Sequence, residues 1–547
     1  MKANILARRV AALTLPAVLV ACGGGSGDAV APGAPAPGAL SISGTAATGA
    51  AIVGGTVDVK CAAGTGSPAT TSTDGSYTIT VAGGSLPCVL RVSYGSEQLY
   101  SLAEANGGSV VRANVTPFTQ LIAAQVVGGD PASLYNTFDA SAQTKLSAAT
   151  VASAISAVTA ALAGTTNLAG LNPLTATFVI GDAFDQKLDA FKAALVKAQI
   201  TLSDVTTTLV ASGGTAAPLL TLLQPAAATC AGLRSGRYRA INPSEPNPKW
   251  ANHVFQFNAD TLKATFWDAT SATLVDKGGC SFTDGGTTQL LVTKSGVMIA
   301  RDTPTATPTQ TAVSVILPEQ TIALSELAGT WNAMGYVRNS ALGPLKPSNA
   351  VFALSATGQF SAGSDCLGVS PCTVWTAMPG NVTAGAAGGF EFSDGVATYK
   401  VFAFKAADGQ LSLYLLEPNG SGFSVAAKQQ ALSLPTVGTV NSAWNFTINS
   451  TGYASTLGEI AAKVTAVDTV AQSFTRERAS DGLIDSFHIN NPRNGLRHRP
   501  AGSSLDKFGA TVTFSEIISM ALPGTGIGVY SSVAANQNFF GVSINKP

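Results

Sequence analysis

Charge is scarce in this chain, and most of what could do chemistry is gathered in one place. The 547 residues carry 31 lysines and arginines against 31 acidic side chains, for a formal net charge of zero. Yet Arg476, Arg478, Arg493, Arg497 and Arg499 fall within 24 residues, together with His488 and His498, two of the three histidines. A guanidinium presents a planar fork of donors that matches carboxylate, phosphate or sulfate oxygens two at a time. Asn490-Asn491-Pro492-Arg493-Asn494-Gly495 is turn chemistry. The spacing therefore predicts a hairpin crowned by Arg493, Arg497, His498 and Arg499, open to an anionic glycan or another envelope component. The competing reading pairs the same arginines with Glu477, Asp481 and Asp485 on a solvated turn.

Elsewhere the residue types lack the spacing of a reactive centre. The chain contains no HExxH, no GxSxG, no Walker phosphate loop and no GxGxxG between a strand and a helix. Ser504-Leu505-Asp506-Lys507 spells SxxK and Lys294-Ser295-Gly296 spells K[ST]G, in the reverse of their order in penicillin-recognising serine enzymes. No helix is expected there to present Ser504 and Lys507 one turn apart. His253, His488 and His498 give little material for an imidazole base, and neither CxxC nor a Cys/His zinc spacing occurs, so no metal or cofactor is expected. Asp182, Asp185, Asp189 and Asp204 read as helix caps and solvated faces. Trp250, beside Pro248 and Lys249, is placed to stack on a sugar, whereas aromatics such as Trp331, Trp375 and Trp444 at strand positions read as core. A chain of zero net charge offers no field to gather nucleic acid.

The elements that position these residues begin with an address. Lys2, Arg8 and Arg9 precede the apolar run 11–20, too short to span a bilayer, so residues 1–21 read as a secretory signal. Leu19-Val20-Ala21-Cys22 closely resembles the lipobox of bacterial lipoproteins. The resemblance implies that Cys22 is acylated and becomes the mature N-terminus, anchored to the outer membrane of a Gram-negative cell. Gly23 is similar to the residue that permits outer-membrane transport in enterobacterial lipoproteins. Residues 22–39, rich in Gly, Ala and Pro, cannot bury a core and read as a flexible tether.

Beyond the tether the expected fold is multidomain and mainly β. Short alternating strands over residues 40–113 include Gly49 to Val57 and then Thr73-Asp74-Gly75-Ser76-Tyr77-Thr78. That pattern resembles the carboxypeptidase-regulatory-like family, which implies a small β-sandwich without catalytic residues. At Thr116-Pro117 the hydrophobic period lengthens from two to 3.6, predicting a small α-helical bundle over residues 114–228. Its helices are expected after a Thr116 cap, along Val151, Ile155, Val158 and Leu162, from an Asp182 cap through Leu195, and after Thr201.

Strand patterning then resumes with an internal echo. Leu411 to Tyr414 with Gly422 to Val425 recurs as Ile527 to Tyr530 with Asn538 to Gly541, and Trp331-Asn332 recurs as Trp444-Asn445. Gly236-Arg237-Tyr238 opens a weaker third copy. The echo divides the region into three antiparallel barrel- or sandwich-like β modules, residues 229–325, 326–435 and 436–547. Removing Cys22 leaves an even six cysteines in an exported protein, the arithmetic of disulfides. Pairing neighbours keeps each bridge inside one module: Cys61 with Cys88, Cys230 with Cys280, Cys366 with Cys372. These readings converge on a non-catalytic, lipid-anchored envelope protein that binds a ligand or partner or supports the cell surface. The alternatives are a periplasmic or surface hydrolase, which needs paired inward carboxylates, and an envelope assembly factor that uses the bundle.

Overall fold

The computed structural model describes residues 38–105, 108–242, 253–338, 343–366, 368–418, 422–533 and 538–547. The signal, Cys22, nearly all of the tether and Trp250 lie outside the described residues. The fold is multidomain and mainly β, built from several antiparallel sheets and seven helices among the described residues. No described helix is long and apolar enough to cross a membrane.

The N-terminal sheet is organised by the strand Ser76–Tyr94, which carries Gly83-Gly84 near its middle. Its first half pairs with Ala39–Thr45 and its second half with Glu97–Ala103, while Thr56–Gly66 runs beside both. Tyr77, Ile79 and Val81 from one half meet Cys88, Leu90 and Val92 from the other in a single core. The alternation that marked these strands in sequence is the alternation that fills this core.

The helices begin where side-chain oxygens can take the free N–H groups of a first turn. Thr116 and Thr119 cap each other at Pro117–Val127, and Thr201 and Asp204 do the same at Leu202–Ala211. Ala148–Leu162 is capped by Ser147. Asp182 accepts from the amides of Phe184 and Asp185 and so starts Asp185–Ala198. Three short helices add to the four expected: Pro131–Asn136, Ala140–Thr144 and Ala216–Leu222. The bundle packs on the sheet, for Phe118, Ile122 and Phe191 share a core with Val89, Tyr100 and Leu102.

Two nine-stranded sheets and one closed barrel follow, all antiparallel meanders in which the first strand pairs with the last. In the first sheet, residues 236–318, the open edges are Ser271–Thr273 and Val275–Gly278. In the second, residues 329–428, they are Thr373–Val374 and Thr383–Ala384. Each curls around its own apolar interior, and we call them the first and second barrels, open along one seam. The third, residues 440–545, closes completely with eight strands because Ile484–Ile489 pairs with Leu496–Arg499. Gly236 and Gly329 open the first strands of the first two barrels at φ of 142° and 136°, backbone that favours glycine.

The outer faces of the three barrels meet in one shared core. Ile299 and Leu317 come from the first, Tyr336 and Tyr414 from the second, Trp444 and Ile518 from the third. The three disulfides join Cys61–Cys88, Cys230–Cys280 and Cys366–Cys372. In the chain-entropy model, loops of these lengths contribute roughly 2 to 4 kcal/mol each.

The sequence echo falls on the penultimate and last strands of both later barrels, but with the faces exchanged. Tyr414 points outward into the shared core, whereas Tyr530 lies on the opposite face, inside the third barrel. Trp331 is likewise inside the second barrel and Trp444 outside the third. Because side chains alternate along a strand, a one-residue difference in register turns every one of them over.

Candidate functional site

The arginine-rich segment does not form an exposed crown; the structure sends its four candidate residues to three different places. Arg493 reaches out of the third barrel onto the outer face of the second, where it donates to Asn332 Oδ1 at 3.2 Å, Asn349 Oδ1 at 2.7 Å and Cys372 Sγ at 3.3 Å. It is a clamp between barrels. His498 stands on the outer face of its strand, beside Glu516 with Nε2 to Oε1 at 2.8 Å. Arg497 and Arg499 alternate with it and point the other way, into the closed barrel. The local reason is strand geometry: Leu496–Arg499 is β structure up to its last residue, so neighbours cannot share a face.

Inside that barrel Arg497 and Arg499 join Arg476 from the strand Ser473–Arg478. Asp485, only 4% exposed, accepts from Arg476 Nε at 2.8 Å and from Arg499 Nη1 at 2.9 Å. Arg476 lies over Phe487 at 4.6 Å from its centroid, and Arg499 over Phe514 at 4.9 Å. Burial alone would raise the Asp485 carboxyl, but the hydrogen bonds and charges of Arg476 and Arg499 outweigh it and hold the group below its ordinary value. Tyr530 crosses the face of Gly541 and donates to Asn445 Oδ1 at 2.7 Å; a Cβ at Gly541 would fall 2.0 Å from its ring. Arg478 pairs with Asp481, and Glu477 pairs with none of the arginines among the described residues. The solvated-turn reading thus named two of the right partners: Arg478 and Asp481 pair part-exposed at a turn, whereas Asp485 lies inside the barrel.

The second barrel holds a different interior. Its cavity, about 230 Å³, is walled by Phe352, Phe360, Trp375, Phe392 and Tyr399. The rings contact one another: Phe392 and Tyr399 stack at 4.7 Å between centroids, and Phe360 meets Phe392 edge-on at 5.1 Å. Residues 375–382 bridge the open seam and supply Trp375, Pro379 and Val382 to the wall. Trp375 covers Gly363 so closely that a Cβ there would stand 1.8 Å from the indole.

Asp365, Asp394 and Glu417 also line this cavity, with no basic side chain among its lining residues. The N–H groups of Ala397 and Val396 lower the Asp394 carboxyl, and the Tyr399 hydroxyl adds to them, so both of its oxygens are already engaged. Burial pushes the Glu417 carboxyl up; the Ser424 hydroxyl, 3.3 Å away, pulls it back, and the charge of Asp394 adds to the rise. Sequence reading had no site here. The available signal was period two from Leu411, which places Leu413, Leu415 and Glu417 on one face.

The SxxK coincidence is settled by backbone geometry. Ser504 lies in the strand Gly502–Leu505 and accepts from the Ile484 amide at 3.2 Å, while Lys507 follows in a turn. No group of three or more potential metal ligands gathers among the described residues.

No protein-family model and no curated protein matches the chain. Among solved structures, it is similar to a protein of unknown function from the DUF3598 family of Nostoc punctiforme PCC 73102, with 8% sequence identity and a TM-score of 0.16. That match covers 42% of this chain and 100% of the other. A likeness at this level assigns neither fold nor activity.

Proposed function

We propose that this chain is a lipid-anchored envelope protein whose second barrel encloses a small, largely apolar ligand. The observation that carries the reading is the aromatic-walled cavity of about 230 Å³ beside the barrel's open seam. Ligand sites are concave and mostly apolar, and a cavity that opens to solvent with five rings around it has that character. An apolar cavity smaller than this suffices to bind benzene. A one- or two-ring molecule fits the volume, with Glu417 at the wall to meet a single polar group.

The hydrolase alternative needs two carboxylates free to act on a substrate. Asp394 is held by two amides and a phenol, which makes it the support of its own turn, and Asp365, the third carboxylate at the wall, is exposed to solvent rather than set in the apolar interior beside Glu417. Binding without chemistry is the simpler use of the site. The envelope address is supported by the lipobox of residues 19–22 and by the three disulfides, which belong to oxidising compartments.

Indole serves as the ligand test. Titration calorimetry on the intact protein should show saturable binding at one site, weakened at least tenfold by Ala350→Phe, which fills the lumen. Binding that ignores this substitution removes the reading. For the address, Cys22→Ala should move the protein from the membrane fraction to the soluble periplasm; retention in the membrane contradicts lipid anchoring.

A further inference from the structure

The interior of the third barrel is not electrically complete. Arg476, Arg497 and Arg499 face one carboxylate, Asp485, which is already shared between Arg476 and Arg499. The side chain of Arg497 has no hydrogen bond and no ion pair among the described residues. Burial and the like charge of Arg476 both work against its protonated form. Arg499 adds a buried Nε with no acceptor. A guanidinium does not shed its proton in proteins, so it cannot escape this environment by neutralising. Two positive charges are therefore left over on the inner face of the barrel, where the side chains of Arg476 and Arg499 are 29% and 14% exposed.

We propose that the lumen of the third barrel binds one small free oxyanion, of the phosphate or sulfate class, held by Arg497 with Arg476 and the Nε of Arg499. An anion there supplies the missing acceptors and the missing charge in one step. Such an ion gains charge-assisted hydrogen bonds that are roughly twice as strong as neutral ones. The barrel has eight strands, a width whose interior is filled by side chains or holds one small ligand. Phe487 and Tyr530 already occupy part of it, which selects a compact ion over a polymeric glycan. The placement is independent of the second-barrel cavity and replaces the exposed anion crown that the sequence suggested.

The test uses inorganic phosphate and the intact protein. Calorimetric titration at fixed ionic strength, balanced with chloride, should give one bound phosphate per chain. Arg497→Met should weaken binding at least tenfold. His498→Asn, on the same strand but facing outward, should leave it unchanged. Arg497→Lys keeps the charge and loses the fork, so it should fall between parent and Arg497→Met; it also serves if the methionine variant fails to fold, since circular dichroism reports that directly. Phosphate binding that is absent from the parent, or equal in the parent and in folded Arg497→Met or Arg497→Lys protein, overturns the proposal.

Discussion

The second and third barrels share a meander topology and a common outer core, yet their interiors are opposites. The second surrounds its space with rings and, among the described residues that line it, carries carboxylates as the only charges. The third is closed and threaded with guanidiniums around a single carboxylate. The strand order does not decide the difference; which residues fall on inward positions does. The rings of the second barrel border a cavity of about 230 Å³, whereas the arginines of the third bring charge that something must balance. One scaffold thus offers a lumen suited to apolar molecules and another suited to anions, and the burial of opposite charges gives the two barrels opposite responses to the same perturbation.

Removing the central carboxylate of the third barrel should have the largest effect. Asp485→Asn leaves three guanidiniums without a counter-charge, and breaking a buried pair in this way costs about 3 to 5 kcal/mol. Denaturant unfolding should show that loss in the transition of the third barrel. Phosphate should recover part of it if the lumen binds an anion, because a ligand that binds only the folded form stabilises it. If Asp485→Asn is neutral, the charges in this lumen do not depend on one another and the contrast between the barrels falls.

Proton titration should separate the barrels by sign. The depressed Asp485 carboxyl contributes stability that is fully present above its unfolded value, near 3.9, and is lost as the pH falls through its lower folded value. Glu417, raised by burial, does the reverse: its penalty is present above its folded value and is relieved as the pH falls through it. Hydrogen exchange read peptide by peptide should therefore show strands of the second barrel gaining protection on mild acidification, and strands of the third losing it only at lower pH. A common response in both barrels would contradict the assignment.

The smallest effect expected is a gain. Glu417→Gln keeps the shape and the Ser424 contact while removing a buried charge, and it should stabilise the second barrel at neutral pH by up to about 1 kcal/mol. The same exchange of acid for amide thus stabilises at Glu417 and destabilises at Asp485. Chemical denaturation of the two variants side by side gives the comparison, and equal signs would break it.

Much of this was legible from the chain and some was not, for physical reasons that differ by residue. Thr116-Pro117 and Thr201 with Asp204 announced two helices because capping is a local transaction among neighbouring residues. The helix at Pro131–Asn136 carried the same signal, an Asp130 cap followed by proline, and was short enough to be passed over. Nearest-neighbour cysteines are joined in the folded chain: Cys61 and Cys88 face each other on paired strands, Cys230 at the start of Cys230–Arg234 meets Cys280 in the turn before Ser281–Thr283, and Cys366 and Cys372 are six residues apart. The arginine segment was found but misplaced: the turn at Asn490 to Gly495 was read as a crown, while period two already put Arg497 and Arg499 on one face and His498 on the other. What the sequence could not supply was which face is inside. That depends on how three barrels pack, and the reversal between Tyr414 and Tyr530 shows that an echo in residue type does not carry orientation with it.

The account rests most heavily on the second barrel being a receptacle, and one crystallographic measurement addresses it. Crystals of the mature protein soaked in 5-bromoindole should show a bromine anomalous peak inside the barrel, among Phe352, Phe360, Trp375 and Tyr399. A peak confined to the outer surface, or an empty lumen at a concentration that saturates binding in solution, would contradict the central claim.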